Sequence, residues 1–207
     1  MITPLMYQPS SAQMQRVIDT QSLAPYTYEP VGMTSATPAQ GYVRDHNRVQ
    51  AGSGKLVFGK SVVALQSWRN FDLGWVKIYP TNAPIAEGTT IAMAANAMGL
   101  WFLNACRIVY TVDERADDLW RFGFAYGTLP EHIARGEERF LIEWDRRDDS
   151  VCYDILAYSQ PNALIARLGY PLVRLFQKRF ARDSKKVMVN AVSKQQTQND
   201  ESERTTG

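Results

Sequence analysis

At 207 residues the chain has the length of one domain with flexible ends, and an apolar content of 45% excludes a disordered protein. A formal net charge of +2 removes any general electrostatic case for nucleic acid, so no nucleic-acid partner is expected. No run of about 18 apolar residues is present to span a membrane. The start, MITPLMYQPSS, lacks the basic-then-apolar order of a signal peptide, so a cytoplasmic protein is expected. In that compartment Cys106 and Cys152, both in apolar strand-like runs, read as small buried residues and not as a disulfide.

Residues 1–40 carry Pro4, Pro9, Pro25, Pro30 and Pro38 among Ser, Thr and Gln. They read as an arm with one short helix near Ala12–Asp19, which either packs on the body or stays loose. The domain proper is expected over residues 41–189. His46–Ala51 suits a short strand, and Ser53 then N-caps a helix. Phe58, Val62, Leu65 and Trp68, at steps of four, three and three, give that helix one apolar face, ending near Arg69–Asn70.

From there the period becomes two. Strands are predicted at Trp75–Tyr79, Thr89–Ala95, Phe102–Asp113, Trp120–Thr128, Arg139–Asp145 and Val151–Tyr158. Cys106, Ile108, Tyr110 and Val112 share one face of the third of these. Trp120, Phe122, Phe124 and Tyr126 share a face of the fourth, and Phe140, Ile142 and Trp144 a face of the fifth. Short connections imply antiparallel neighbours. A terminal helix follows over Asn162–Met188, where Leu164, Leu168, Leu172, Phe176 and Phe180 recur every four residues, with Leu175 and Val187 beside the stripe. Gly169-Tyr170-Pro171 predicts a kink there. The polar residues 190–207 read as a disordered tail.

The fold expected is therefore α+β: a curved antiparallel sheet of about six or seven strands gripping a long, kinked C-terminal helix. The runs NACRIVYTVDE (104–114), RFGFAYGTLPEHIARGEERFLIEW (121–144) and YDILAYSQPNALIARLGYPLVRLFQKRF (153–180) resemble the domain of unknown function 1990 family. GSGKLVFGKSVVALQSWRNFDLGW (52–75) fits it too, so the resemblance covers roughly residues 40–188. It implies a family without an established activity. More loosely, the element order resembles the helix-grip superfamily of START-like and birch-pollen-allergen-like domains. That resemblance implies a hydrophobic ligand between sheet and helix.

Chemistry-bearing residues are few. GSGK at 52–55 fails the phosphate-loop pattern, which needs Gly at Val49 and Ser or Thr at Leu56. His46 and His132 lack partners at metal-ligand spacing, so no metal is expected; neither cysteine has a nearby His or a helix N-terminus, so neither reads as a nucleophile; and no motif calls for a cofactor. Tyr126, His132, Glu137 and Glu138 flank a bend at Pro130 and form the densest polar segment. With Asp154, which interrupts an apolar strand, they are the acid–base candidates. Arg107 reads as lying on the wet outer face.

Tyr110, Phe124, Tyr126, Asp154, Tyr158 and Phe176 are the candidate ligand contacts. The expected function is a binding protein for a hydrophobic or amphipathic small molecule. The alternatives are an enzyme in the same cavity, or contact with an anionic membrane surface through the basic terminal helix (Arg167, Arg174, Lys178, Arg179, Arg182, Lys185 and Lys186).

Overall fold

The computed structural model describes residues 4–36, 40–161 and 170–205. Strands β1 (Val43–Ser53), β2 (Val76–Tyr79), β3 (Thr90–Ala97), β4 (Leu100–Arg115), β5 (Leu119–Thr128), β6 (Ala134–Asp145) and β7 (Ser150–Pro161) form one curved sheet. Their order is β1-β7-β6-β5-β4-β3-β2, and every neighbouring pair is antiparallel. Helices α1 (Ser11–Gln21), α2 (Gly54–Gln66) and α3 (Tyr170–Thr205) flank it. The expected α+β architecture, a curved antiparallel sheet with a long C-terminal helix packed on it, is what forms.

The strand periodicity builds the core. Phe122, Phe124 and Tyr126 of β5 meet Phe140, Ile142 and Trp144 of β6 on the inner face. Phe58, Leu65 and Trp68 of the α2 region pack onto them, as do Ala181, Met188 and Val192 of α3. Helix α2 stops at Gln66 because Trp68 takes a left-handed conformation (φ 55°), and a 3-10 turn follows at Arg69–Phe71. The indole N–H of Trp68 donates to the Ala83 carbonyl at 2.8 Å. Ser53 occupies the N-cap of α2 but makes no side-chain cap; the Gly54 N–H donates to the Asp149 carbonyl instead.

On α3, Phe176 and Phe180 continue the four-residue stripe inward, and Ser184 is tied to the buried Tyr153 hydroxyl at 2.9 Å. Leu175, expected beside the stripe, is 61% exposed. The helix runs on through Thr205, over a stretch for which the sequence predicted no ordered element. Leu164, Leu168 and the proposed break before Pro171 lie outside the described residues.

The outer face is covered as well. Helix α1 starts with a capping box: the Gln13 N–H donates to Ser10 Oγ, and the Ser10 N–H donates to Gln13 Oε1 at 2.9 Å. Met14 then packs on Ala92 and Ala94, the outward residues of β3. Tyr28 and Met33 pack on Leu156 and Tyr158 of β7. Arg107 does face outward, but it is not wet. Its guanidinium donates to the carbonyls of Gln21, Ser22 and Ala24 and lies 5.3 Å from the Tyr26 ring. The arm is thus gathered where α1 ends.

Candidate functional site

Between the sheet and α3 lies a cavity of about 710 Å³. Its inner-face walls include Met93 and Ala95 from β3, Phe102 and Asn104 from β4, Tyr126 from β5 and Ile155 from β7. Helix α3 contributes Val173, Phe176 and Phe180. Glu131, Arg135, Leu172 and Lys178 also line it and are exposed, so they mark its mouth.

One polar pair stands among the apolar walls. The Tyr126 hydroxyl donates to Glu138 Oε2 at 2.7 Å. The two are cross-strand partners on β5 and β6, which puts both on the inner face. Glu138 lies deep in the molecule yet keeps some accessible surface, and that surface faces the cavity. Burial raises its pKa to about 7; the Tyr126 hydrogen bond opposes the rise and the Asp45 charge adds to it. Burial also pushes the Tyr126 phenol well above its ordinary value, so it stays a donor. His132 lines the same cavity. Burial lowers its pKa to about 4, which keeps the imidazole neutral near pH 7.

Of the sequence candidates, Tyr126, His132, Glu138 and Phe176 are brought together here. Others are not. Glu137 touches the cavity rim, but its carboxylate turns outward under the arm. There it accepts from the Tyr28 hydroxyl and the Gly32 N–H, each at 2.7 Å, from the Thr34 N–H at 2.9 Å, and from the Thr34 hydroxyl. It is therefore a structural anion, since alternation along β6 points it away from Glu138.

Asp154 is likewise on the outer face, and so is not a cavity ligand contact. It meets His46 Nε2 at 2.5 Å, Arg139 at 3.1 Å and Arg48 at 3.7 Å. Tyr158 borders the cavity, but its side chain packs outward on Tyr28 and Met33.

Phe124 is on the inner face but fully buried, with its ring 5.0 Å from that of Trp68 and 5.4 Å from that of Phe140. Core packing leaves it no access to a ligand. Tyr110 is displaced by a β-bulge: Ile108 pairs with Tyr126 and Tyr110 with Ala125, so one extra residue reverses the alternation. Its hydroxyl meets Thr34 Oγ1 at 2.7 Å beneath the arm.

Sequence reasoning missed Asp45 and Asn104. Asp45 lies one residue before the strand predicted from His46, and its carboxylate is gripped by both terminal nitrogens of Arg174. Asn104 carried no pattern signal beyond its place two residues before Cys106. On the basic face of α3, Arg179 lies over the Trp75 ring at 4.4 Å, Arg182 pairs with Asp183 at 2.9 Å and Lys185 donates to Asn47 at 3.3 Å. Much of that charge is thus engaged within the protein, while Arg167 lies outside the described residues. Both cysteines are free, and burial pushes the Cys106 thiol far up, away from nucleophilic use. Among the described residues no three His, Cys, Asp or Glu side chains converge as metal ligands, and no helix is long and apolar enough to cross a membrane.

The chain is similar to solved structures at low identity. The crystal structure of Ara h 8.0201 covers 74% of this chain and 99% of its own, with 12% identity and a TM-score of 0.49. A START superfamily protein from Mycobacterium smegmatis gives the same coverages and TM-score at 13% identity. Sequence relatives are nearer. A UPF0548 protein of Dictyostelium discoideum is 42% identical over 159 residues, covering 73% of this chain and 74% of the relative. One from Arabidopsis thaliana is 32% identical over 198 residues, covering 90% and 96%. The family model described as "Domain of unknown function (DUF1990)" matches residues 27–187, and the chain belongs to that family.

Proposed function

We propose that this protein holds a hydrophobic or amphipathic small molecule between the sheet and α3. The observation that supports the reading is the cavity of about 710 Å³, walled by Met93, Phe102, Ile155, Phe176 and Phe180. Small-molecule sites have this size and this mainly apolar lining with a few placed polar groups. The test is fluorescence titration with the neutral dye N-phenyl-naphthylamine. Saturable binding is expected in the wild type and a loss of at least tenfold in Ala157→Trp, where the indole occupies the space beside Glu138. Absence of saturable binding to the folded wild type sinks the reading. Native mass spectrometry of protein purified from its own host identifies the resident molecule.

A second reading, acid–base catalysis in the same cavity, is favoured by one observation: a carboxyl with its pKa near 7, hydrogen-bonded to a tyrosine and accessible to a bound molecule. If the resident molecule is recovered chemically unchanged after incubation with the protein, this reading fails.

A further inference from the structure

We propose that the cavity selects amphipathic amines, with the ligand's ammonium group pairing with the Glu138 carboxylate while its hydrocarbon lies against α3. The inference rests on the cavity being a binding site, as proposed above, and adds the charge of what it takes.

The argument begins with what surrounds Glu138. A carboxylate inside a protein needs an opposite charge or several donors. Glu137, the adjacent residue, has Tyr28, Gly32 and Thr34 as donors. For Glu138 the Tyr126 hydroxyl is the donor that the described residues supply. Cations exist nearby but are committed elsewhere. Arg139 points to the opposite face and pairs with Asp154. Arg174 grips Asp45, and Lys185 donates to Asn47.

The remaining titratable groups inside the cavity supply no positive charge at neutral pH; Arg135 and Lys178 are cations at its mouth, with Glu131 beside them. From β1 comes Asp45, an anion. From β4 comes the thiol of Cys106, from β5 Tyr126 and from β7 Tyr153, all held in their neutral forms by burial. From the β5–β6 connection comes His132, neutral until about pH 4.

An ionised Glu138 therefore has the Tyr126 hydroxyl but no cation beside it among the described residues, and a ligand cation supplies that partner. A fatty carboxylate would meet Glu138 as a like charge. An alcohol would gain no more than a hydrogen bond. An ammonium gains a charge-assisted hydrogen bond in a low-dielectric site, flanked by the Tyr126 and Phe176 rings.

Decylamine, decanol and decanoate, competed against the neutral dye at pH 8, test this. Decylamine is expected to displace the dye at a concentration at least tenfold below decanol, with decanoate weakest. Because the carboxyl must lose its proton to pair with the ammonium, decylamine affinity is expected to fall about thirtyfold from pH 8 to pH 5.5, while decanol affinity holds. Glu138→Gln is expected to lose the preference for decylamine over decanol, each measured by displacement of dye from that variant, and Glu138→Asp to retain part of it. If the dye binds and decylamine has no advantage, or the advantage survives in Glu138→Gln, the amine assignment is overturned. If the dye does not bind at all, the cavity reading falls and this inference with it.

Discussion

Tyr28 and Glu137, 109 residues apart in the chain, meet through a 2.7 Å hydrogen bond that fastens the N-terminal arm to the outside of the sheet. The same carboxylate receives the N–H groups of Gly32 and Thr34, so it closes a turn of the arm around one buried charge. Glu137→Ala leaves those donors without their acceptor. The expected loss is about 3 kcal/mol in urea unfolding, with new chymotryptic cleavage at Tyr26 or Tyr28 under native conditions.

Gly127 gives an independent handle on that contact. A Cβ there would lie 2.2 Å from the Tyr28 hydroxyl oxygen and 2.9 Å from the Tyr26 ring. Gly127→Ala is expected to lift both tyrosines and to reproduce the cleavage pattern of Glu137→Ala. The double variant should lose much less than the sum of the two, because both break one contact. Gly59 of α2 is the contrasting control: a Cβ there meets nothing within 4 Å. Gly59→Ala is expected to stabilise by about 0.5–1 kcal/mol through helix propensity alone.

Two cavity groups should leave opposite marks on the pH dependence of stability. Glu138 titrates near 7 when folded, above its ordinary carboxyl value, so the folded state binds its proton more tightly. Its contribution is present at low pH and is lost as pH rises through about 4.5 to 7. His132, depressed to about 4, behaves in the other sense: stability is lost as pH falls from about 6.5 toward 4, when the unfolded chain takes up the proton first. Each effect is on the order of 1–3 kcal/mol, the Glu138 share being reduced by its contact with cavity solvent. The stability of Glu138→Gln relative to wild type should climb across pH 4.5–7. The His132 ring resonances should show no protonation at pH 5.5.

Asp154 should prove structural. It is buried on the outer face among His46, Arg139 and Arg48. Asp154→Ala is expected to cost about 3–5 kcal/mol by leaving guanidinium charge uncompensated. Dye affinity at a temperature where the variant is folded should stay within twofold of wild type. A tenfold loss would place Asp154 in the ligand site after all.

The fold was legible where apolar period and burial agree. Phe122, Phe124 and Tyr126, or Phe140, Ile142 and Trp144, name their face by spacing two, and those faces became the core. Tyr110 was misplaced because a bulge leaves no mark in hydrophobic alternation: Ile108 and Tyr110 keep the spacing while the backbone between them reverses it. Asp154 and Leu156 share a face with apolar company, which spacing alone cannot assign to inside or outside. Here both sides are apolar, because Tyr28 and Met33 of the arm cover the outer one. The Tyr126–Glu138 pair was half visible. The sequence showed both groups near one hairpin, but only strand register makes them direct partners. The site's polarity thus depended on pairing, which a single strand's sequence does not encode.

Consecutive residues in a strand point to opposite sides, and β6 places its two glutamates at that alternation: Glu137 belongs to the arm and Glu138 to the cavity. They share one peptide unit. A slip or twist of β6 that repositions one carboxylate therefore carries the other with it. The segment wrapped around the back of the sheet and whatever sits in front of it are connected by the shortest lever a protein has, one rigid peptide unit between neighbours.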